Sequence, residues 1–307
     1  EVVGRMLRTS RRMPLAATLI AFYTSVTAHS LAADCSPGAS VLNGRRVLVT
    51  GGGRGIGKAI ALICAAEGAN VAIMSRTAAE LKDVVAENAS RLKADSKVFI
   101  PIVADVTDEV AVEQGVAAAV AALGGIDLLI NNAGGAGDGG KAPLFEQPIP
   151  ALRQLLELNV VSVAAVSGAV LRQTMLESGG DIVMVSSRAG KIGIPSMGPY
   201  VTSKFALEGM AATLAAELKN KGVAVNTISP GMVDTSSFPK PAGRPGVRSA
   251  ESIKDGLLTI LENSIFAKVD GGATGQYLHV DELDEALLRG LPPTAALKSI
   301  NEPLFAP

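Results

Sequence analysis

The stretch TGGGRGIG, from Thr50 to Gly57, contains five glycines in eight residues. The apolar run RVLVT before it predicts a buried strand, and KAIALICAA after it has apolar residues at helical spacing. The glycines are therefore expected in a strand-to-helix turn. Such a turn presents unpaired N–H groups and the positive end of a helix dipole, and both favour a bound phosphate.

The residues of this turn have separate expected roles. Gly51 would make the tight turn, Gly55 would let a pyrophosphate approach, and Gly57 would let the helix pack on the strand. Arg54 and Ile56 complete the predicted binding turn. A glycine-rich turn can also be a plain turn, so the rest of the chain has to decide between the two readings.

Strand-like and helical segments alternate from residue 43 onward. Seven apolar segments predict strands, namely RVLVT, NVAIMS, KVFIPIV, IDLLIN, DIVMVS, VAVNTIS and GQYLHV. This alternation predicts a parallel sheet with helices on both faces. We therefore predict a single α/β domain over residues 43–307, with a doubly wound, seven-stranded Rossmann-type sheet. Ligands of such sheets bind beyond the carboxyl ends of the strands.

Composition and charge exclude several classes of protein. Hydrophobic residues make up 48% of the chain and charged residues 19%, which is typical of a globular protein. A net charge of −1, 3% aromatic residues and no Trp provide neither a basic face nor stacking side chains, so we expect no nucleic acid partner. Two histidines and the widely separated Cys35 and Cys64 predict neither a metal site nor a disulfide framework.

Residues 1–42 differ in composition and are predicted to be a targeting-like extension. Four arginines precede the apolar run LAATLIAFYTSVTA, and no acidic residue lies between Glu1 and Asp34. A secretory signal peptide, an organellar transit peptide and an unprocessed tail of a cytoplasmic protein all stay open. Contact with a membrane is expected only if this segment is an uncleaved anchor.

The end of the second predicted strand bears on the choice of cofactor. Sites that prefer NAD place an acidic residue there to bind the ribose 2′-OH, whereas this chain has Ser75 followed by Arg76. A guanidinium suits a 2′-phosphate, and Arg54 supplies a second cation nearby. These residues predict NADP(H) as the cofactor.

Residues after the third and fourth predicted strands are further candidates for the cofactor site. The adenine is expected beside the segment ADV, and the segment NNAG is either a polar turn or a wall of the cofactor site. The residues that we assign to the cofactor in these two segments are Asp105, Val106, Asn132, Ala133 and Gly134.

The segment YVTSK contains a candidate catalytic pair. Tyr200 and Lys204 are four residues apart at the start of a predicted helix and so share one face of it. A phenol is a poor acid at neutral pH, and a cation within about 4 to 6 Å lowers the pKa of a neighbouring acid. We therefore expect Lys204 to tune Tyr200 for proton transfer.

Together these motifs resemble the short-chain dehydrogenase/reductase family. TGGGRGIG, NNAG, a serine thirteen residues before YVTSK, and SPG after the sixth strand follow the family's order and spacing. The resemblance covers about residues 43–281. It implies an NADP(H)-dependent oxidoreductase that transfers a hydride between the nicotinamide and a carbonyl or alcohol carbon of a small molecule, and it implies a homo-oligomer.

The resemblance also implies a role for each matching residue. Tyr200 would be the general acid/base, Lys204 would bind the nicotinamide ribose and lower the pKa of Tyr200, and Ser187 would orient the substrate oxygen. Asn159 in ELNVVS would help to hold a proton-relay water. The segment SPGMVDT would cover the nicotinamide through Pro230, Gly231, Val233 and Thr235.

The C-terminal part departs from the family pattern. Many members close the last strand with Asp-Gly-Gly, whereas here HVDEL continues into an acidic predicted helix. The segment 236–252, rich in proline and glycine, is expected over the cleft. We predict that Phe238 and one or more of Lys240, Arg244 and Arg248 help to select the substrate.

Two other functions stay open from the sequence. One is a dinucleotide-binding sensor or scaffold without turnover, although the presence of Ser187, Tyr200 and Lys204 together argues against it. The other is lyase or epimerase chemistry on the same fold, because a fold does not determine a function. No residue pattern identifies the class of substrate.

Overall fold

The computed structural model describes residues 40–91, 98–137, 142–235, 240, 244–268 and 272–302. Most of the predicted extension, residues 1–39, lies outside the described residues, so its role stays a prediction. Leu42, which the sequence analysis assigned to the extension, is fully buried in the core. The folded unit therefore begins at least one residue before the predicted boundary.

Eight of the described strands form one sheet. They are β1 Arg46–Thr50, β2 Asn70–Ser75, β3 Phe99–Val103, β4 Leu128–Asn131, β5 Gly180–Val185, β6 Val223–Ser229, β9 Gln276–His279 and β10 Leu297–Ser299, and a separate parallel pair consists of β7 Met232–Val233 and β8 Val247–Arg248. The order in the sheet is β10-β9-β6-β5-β4-β1-β2-β3, and all strands are parallel except β10, which runs antiparallel to β9. The parallel, doubly wound fold is confirmed, and the sheet has one more strand than the seven predicted.

Helices cover both faces of the sheet. They are α1 Gly55–Ala66, α2 Ala78–Arg91, α3 Glu109–Leu123, α4 Ile149–Ser178, α5 Gly198–Leu218, α6 Lys254–Glu262 and α7 Val280–Leu288. Helix α4 contains two π-helical turns, Glu157–Val161 and Leu171–Met175. It is long and apolar enough to cross a membrane, with a mean hydropathy of 1.6, but half of its most apolar window is buried inside the protein, which is typical of a core helix.

The core consists of two apolar layers, one on each face of the sheet. Side chains alternate across a strand, and in β1 Val47 and Val49 belong to one layer while Leu48 belongs to the other. Cys64 of α1 is fully buried in the first layer, and burial raises the pKa of its thiol to about 12.

The strand order places the functional site. The chain adds β2 and β3 on one side of β1 and then returns to pair β4 with its other side. The connections after β1 and β4 therefore leave the sheet in opposite directions, and a crevice opens between them at the carboxyl ends of these strands. The glycine turn follows β1, and the NNAG segment begins at the end of β4.

Candidate active site

The glycine turn has no room for side chains at the positions singled out in the sequence. Gly51 and Gly55 have φ angles of +66° and +54°, in the left-handed region that favours glycine. A Cβ atom on Gly51 would lie 2.8 Å from the Asn132 amide nitrogen, and one on Gly57 would overlap both that nitrogen and the Gly51 carbonyl. The turn is thus compressed against the residue that follows β4.

Asn132 and Thr50 tie the two strand ends together. The Asn132 side-chain amide donates to the Thr50 carbonyl at 2.9 Å and the Gly51 carbonyl at 3.3 Å. The Thr50 hydroxyl accepts from the backbone N–H groups of Asn132 and Ala133, both at 3.1 Å. These bonds hold the glycine turn, residues 50–57, and the NNAG segment together. We call this turn the glycine cradle, and Asn132 supports it by binding two of its carbonyl groups.

The N-terminus of α1 fits a bound phosphate. Arg54 precedes the helix, and its side chain makes no capping hydrogen bond to the first turn. In the described part of the chain, the Arg54 side chain therefore does not occupy the N–H groups at this helix end, which are the groups that would bind an anion. Thr235 lies opposite, with side-chain atoms 3.3 Å from where a Cβ on Gly55 would stand. A pyrophosphate at this helix end would meet backbone N–H groups and Gly55 and would displace the Thr235 side chain, while Ile56 is half-buried and packs toward the core.

The adenosine end contains an orphaned hydroxyl. The Ser75 side-chain oxygen at the end of β2 is buried and has no hydrogen-bond partner within the described part of the chain. A buried hydroxyl without a partner is rare in proteins and indicates a position that a ligand group can complete. Together with the glycine cradle, this hydroxyl fits a dinucleotide.

The two arginines that the sequence assigned to a 2′-phosphate are both paired with carboxylates. Arg54 contacts Glu80 at 3.1 Å, and Arg76 contacts Asp105 at 3.9 Å. The Arg76 side chain is 73% exposed, so its pairing is weak and easily exchanged. Sequence reasoning did not single out Glu80, which enters from the first turn of α2 rather than from the strand end.

Asp105 and Val106 differ in what they can offer a cofactor. Asp105 accepts hydrogen bonds from the Thr107 backbone N–H at 3.0 Å and its hydroxyl at 2.8 Å. These bonds, with Arg76 nearby, lower the pKa of the Asp105 carboxyl. Val106 is buried in the apolar core, so its side chain supports the site by packing.

Ser187 and Tyr200 are brought together at the nicotinamide end. Ser187 follows β5 and its hydroxyl accepts from the Ala189 N–H at 3.1 Å, which fixes the serine at the start of a short 3₁₀ turn. Tyr200 lies in the first turn of α5, and its phenol is close enough to the Ser187 hydroxyl for that group to lower its pKa. Two hydroxyls thus converge where a substrate oxygen can bind.

The pKa of Tyr200 differs from the sequence-based expectation. Burial raises the pKa of the phenol, and the nearby Ser187 hydroxyl offsets part of that rise. Lys204 is not among the groups that shift the pKa of Tyr200, although its ammonium lies 5.8 Å from the centre of the tyrosine ring. The ammonium instead donates to the Val185 carbonyl at 2.9 Å, which orients it along β5 rather than toward the phenol oxygen.

Lys204 is itself an unusual lysine because it is 7% exposed. Burial lowers its pKa to about 8, and the charge of Glu208 one turn further along α5 opposes that shift. Near neutral pH the side chain is therefore mostly protonated, and small changes in its surroundings alter the fraction that is charged. A negatively charged ligand nearby would favour the protonated form.

Asn159 lies in the first π-helical turn of α4 and is almost fully buried. Its amide nitrogen donates to the Gly135 carbonyl at 2.8 Å and to the Ser203 hydroxyl at 2.9 Å, and its oxygen accepts from the Gly135 N–H at 2.9 Å. Ser203 donates in turn to the Tyr200 carbonyl at 2.8 Å. The structure thus links Asn159 to the Tyr200 backbone. A Cβ on Gly134 would lie 2.8 Å from the Asn159 oxygen, so a side chain at Gly134 would crowd this amide.

The segment after β6 crosses the site and is fastened to the C-terminal helix. Pro230 and Val233 are buried, and Gly231 has a φ of +74°. Met232–Val233 pairs with Val247–Arg248, and Arg248 binds Asp281 at 2.7 Å and Asp284 at 2.5 Å. The acidic helix that replaces the family's Asp-Gly-Gly ending therefore anchors this segment.

These contacts bear on the predicted substrate-selecting loop. The Arg248 guanidinium is bound by two carboxylates of α7, so it stabilises the fold and is not positioned to bind a substrate. The backbone N–H of Lys240 donates to Asp234 at 2.8 Å. Phe238 lies outside the described residues, and its predicted role stays a prediction, as does that of the exposed Arg244.

Three supporting residues were missed by sequence reasoning. Thr50 was visible as the first residue of the glycine stretch, and Ser203 as part of YVTSK, but neither has a spacing that reveals its partner. Glu80 would have required knowledge of how α2 packs beside the turn, because its nearest functional partner is 26 residues earlier in the chain.

Comparisons with known proteins define the class. The chain belongs to the short chain dehydrogenase family, whose family model matches residues 45–242. A bovine relative, dehydrogenase/reductase SDR family member 4, is 35% identical over 217 residues, which are 69% of this chain and 76% of the relative. The resemblance inferred from the motifs is thereby confirmed.

Solved structures agree in fold and differ in the dinucleotide that they contain. A short chain dehydrogenase from Burkholderia cenocepacia in complex with NADP is 31% identical with a TM-score of 0.65, covering 78% of this chain and 96% of that one. An NAD⁺-bound xylitol dehydrogenase is 30% identical with a TM-score of 0.66, covering 78% of this chain and 98% of that one.

We expect Lys204→Met to raise the free energy of unfolding at pH 7 by up to about 3 kcal/mol. The folded-state pKa of about 8 lies below the ordinary 10.5, and each pKa unit corresponds to about 1.4 kcal/mol. Below pH 8 the side chain is charged in both states, so the folded state bears the full desolvation. Between pH 8 and pH 10.5 the unfolded chain binds more protons than the folded one, so the wild type gains stability relative to the variant as the pH rises through this range.

Denaturant unfolding of both proteins near pH 7 and about pH 9.5 measures this difference. Lys221→Met, at an exposed lysine, is the control and should change little at either pH. A stability difference for Lys204→Met that does not shrink at the higher pH would contradict the assignment of a buried ammonium.

We expect Arg248→Gln to loosen the segment after β6. The variant loses its ion pairs with Asp281 and Asp284, so amide hydrogen exchange over residues 230–248 should become faster while the sheet stays protected. Arg289→Gln is the matched control, because it removes an exposed Arg–Glu pair at the C-terminal end of α7, on residues other than Asp281 and Asp284. Equal exchange in both variants would show that the anchor has no effect.

Proposed function

We propose that this protein is an NADP(H)-dependent oxidoreductase that interconverts a carbonyl and an alcohol in a small molecule, with Tyr200 as the general acid/base. The observation that carries the proposal is the neighbouring Ser187 and Tyr200 hydroxyls with a buried lysine one turn away, at the edge of the sheet where the glycine turn also lies. When bound, the nicotinamide supplies or accepts the hydride.

The protein's own residues would handle the proton. In the direction of reduction, the Tyr200 hydroxyl donates its proton to the substrate oxygen as negative charge develops there, and the Ser187 hydroxyl donates a hydrogen bond to the same oxygen. In the reverse direction Tyr200 takes the proton back. Because burial raises the pKa of Tyr200, the phenol holds its proton at neutral pH, which suits carbonyl reduction.

Lys204 and Asn159 would support this transfer in different ways. A protonated Lys204 stabilises the phenolate that Tyr200 becomes, and its pKa of about 8 leaves most of it charged at pH 7. The Asn159 amide is hydrogen-bonded to Gly135 and Ser203, so its direct effect is to fix the end of the NNAG segment relative to the start of α5. The water that the family resemblance assigns to Asn159 stays part of the proposal.

The preference for NADP(H) over NAD(H) rests on the adenosine end. Ser75 carries no charge, and Arg54 and Arg76 are the cations of this end that would pair with a 2′-phosphate in exchange for Glu80 and Asp105. The NADP complex of the Burkholderia relative supports this preference, whereas the NAD⁺ complex of xylitol dehydrogenase shows that the fold accommodates either dinucleotide. Self-association, which the family resemblance implies, also stays a proposal.

The direct test of the function is turnover of NADPH with a panel of ketones, aldehydes and quinones. Consumption of NADPH that depends on one of these substrates supports the proposal. Tight binding of NADPH without turnover on any member of the panel favours the sensor or scaffold alternative. Elimination or inversion of a substrate without net oxidation favours lyase or epimerase chemistry.

We expect Tyr200→Phe to lower kcat by about 10²- to 10⁴-fold, the usual contribution of a general acid. The dissociation constant of NADPH should stay nearly unchanged, because only the phenol oxygen is removed. Tyr277→Phe is the control, since Tyr277 is a buried tyrosine of β9 outside the proposed site. Near-normal kcat for Tyr200→Phe would falsify its assigned role.

We expect Arg76→Asp to reverse the cofactor preference. The variant loses a guanidinium worth about 1.5 kcal/mol as a charged hydrogen-bond donor and places a carboxylate beside the 2′-phosphate. NADPH should bind about tenfold more weakly, with NADH little affected. Arg91→Asp makes the same charge change at the far end of α2 and should leave both dissociation constants unchanged. Equal weakening of both cofactors by Arg76→Asp would argue against 2′-phosphate recognition.

A further inference from the structure

The acidic residue that the sequence lacks at the end of β2 is supplied by the helix that follows. The Glu80 carboxylate and the Ser75 hydroxyl each have an oxygen 3.0 Å from the point where a Cβ on Gly53 would stand. Both groups therefore crowd the space beside Gly53, and the opening left between them is narrower than a methyl group normally requires. The opening lies between the glycine turn, the end of β2 and the first turn of α2.

The two groups that share this opening are complementary to a ribose hydroxyl. The Ser75 oxygen is buried without a hydrogen-bond partner in the described structure, so it can donate to a ligand oxygen. The Glu80 carboxylate is an acceptor, and one of its oxygens is already paired with Arg54 at 3.1 Å. A 2′-OH that enters the opening, once the part-exposed Glu80 side chain shifts to admit it, can accept from Ser75 and donate to Glu80.

We propose that Glu80 is a specificity-determining residue that lets the site use NAD(H) and limits its preference for NADP(H). This inference rests on the proposed function, because it concerns the adenosine end of the same cofactor site. Glu80 takes the part that an acidic residue at the strand end plays in NAD-preferring sites, but it reaches the ribose from α2.

Charge decides the direction of the effect. A 2′-phosphate would bring negative charge next to the Glu80 carboxylate, and these like charges repel. The phosphate would also compete with Glu80 for Arg54, so part of the attraction from that arginine is already used within the protein. A 2′-OH meets neither penalty. Glu80 therefore weakens NADPH binding and strengthens NADH binding.

The protein contains a matched ion pair for comparison. Lys58 of α1 contacts Glu87 of α2 at 2.5 Å, whereas Arg54, which pairs with Glu80 of the same helix, directly precedes α1. Glu87 lies two turns further along α2, away from Gly53 and Ser75. Glu87→Gln thus removes a carboxylate, its ion pair with Lys58 and its exposed pair with Arg91 without changing the opening.

The experiment measures dissociation constants for NADPH and NADH with the wild type, Glu80→Gln and Glu87→Gln. Calorimetry with 2′,5′-ADP and 5′-AMP, which carry only the adenosine end and cannot react, provides a readout independent of activity. For Glu80→Gln we expect the ratio Kd(NADH)/Kd(NADPH) to rise about tenfold, which corresponds to about 1.4 kcal/mol, with 2′,5′-ADP bound more tightly. Glu87→Gln should leave the ratio unchanged, and thermal unfolding should confirm that both variants are folded.

The outcomes separate this inference from the proposed function. If the wild type binds neither dinucleotide, the proposed function fails and the inference fails with it. If the wild type binds NADPH but Glu80→Gln leaves the ratio unchanged, only the inference is overturned. A fall in the ratio would also overturn it, because it would show that Glu80 positions Arg54 for the phosphate.

Discussion

The space between Gly57 and the end of β1 is too small for a Cβ atom, and this constraint determines the cofactor end of the protein. A side chain at Gly57 would collide with the Gly51 carbonyl and the Asn132 amide. Helix α1 can therefore approach the sheet closely, and its N-terminal N–H groups face the crevice beside β4. Asn132 and Thr50 convert this close packing into a fixed geometry, because their hydrogen bonds join β1, the turn and the end of β4. Any shift of α1 away from the sheet would open the cradle and displace the wall that Asn132 and Ala133 form.

The nicotinamide end depends on burial in place of close backbone packing. Lys204 is held in an apolar environment that lowers its pKa to about 8, and the energy that this requires comes from the rest of the fold. The same burial raises the pKa of Tyr200. The two pKa values are thus shifted apart, so near neutral pH the Tyr200 phenol keeps its proton and Lys204 is the more easily deprotonated of the two groups. The Val185 carbonyl and the Ser203–Asn159 bonds keep both side chains on the face of α5 that meets β5.

The sequence was sufficient for features that depend on local pattern. Seven parallel strands, the glycine turn and the Tyr200–Lys204 pair follow from apolar periodicity and from spacing within one helix. Strand β10 could not be predicted, because Leu297–Ser299 is short and its strand conformation depends on pairing with β9. The pKa of Tyr200 also escaped prediction, since spacing showed that Lys204 is near but not that burial outweighs its charge. Arg248 was expected in a substrate-facing loop, and its commitment to Asp281 and Asp284 depends on a contact 33 residues along the chain.

Charge is organised differently at the two ends of the site, and this difference follows from exposure. At the nicotinamide end, Lys204 and Glu208 are buried, so their electrostatic effects are strong and their positions are fixed by hydrogen bonds to the fold. At the adenosine end, Arg54 and Arg76 are exposed and are paired with Glu80 and Asp105, where water weakens each interaction. Exposed pairs can be exchanged for a ligand group at little energetic cost, whereas buried ones cannot. Substitutions that change cofactor preference should therefore be tolerated by the fold at the adenosine end, while the chemistry at the other end allows few replacements.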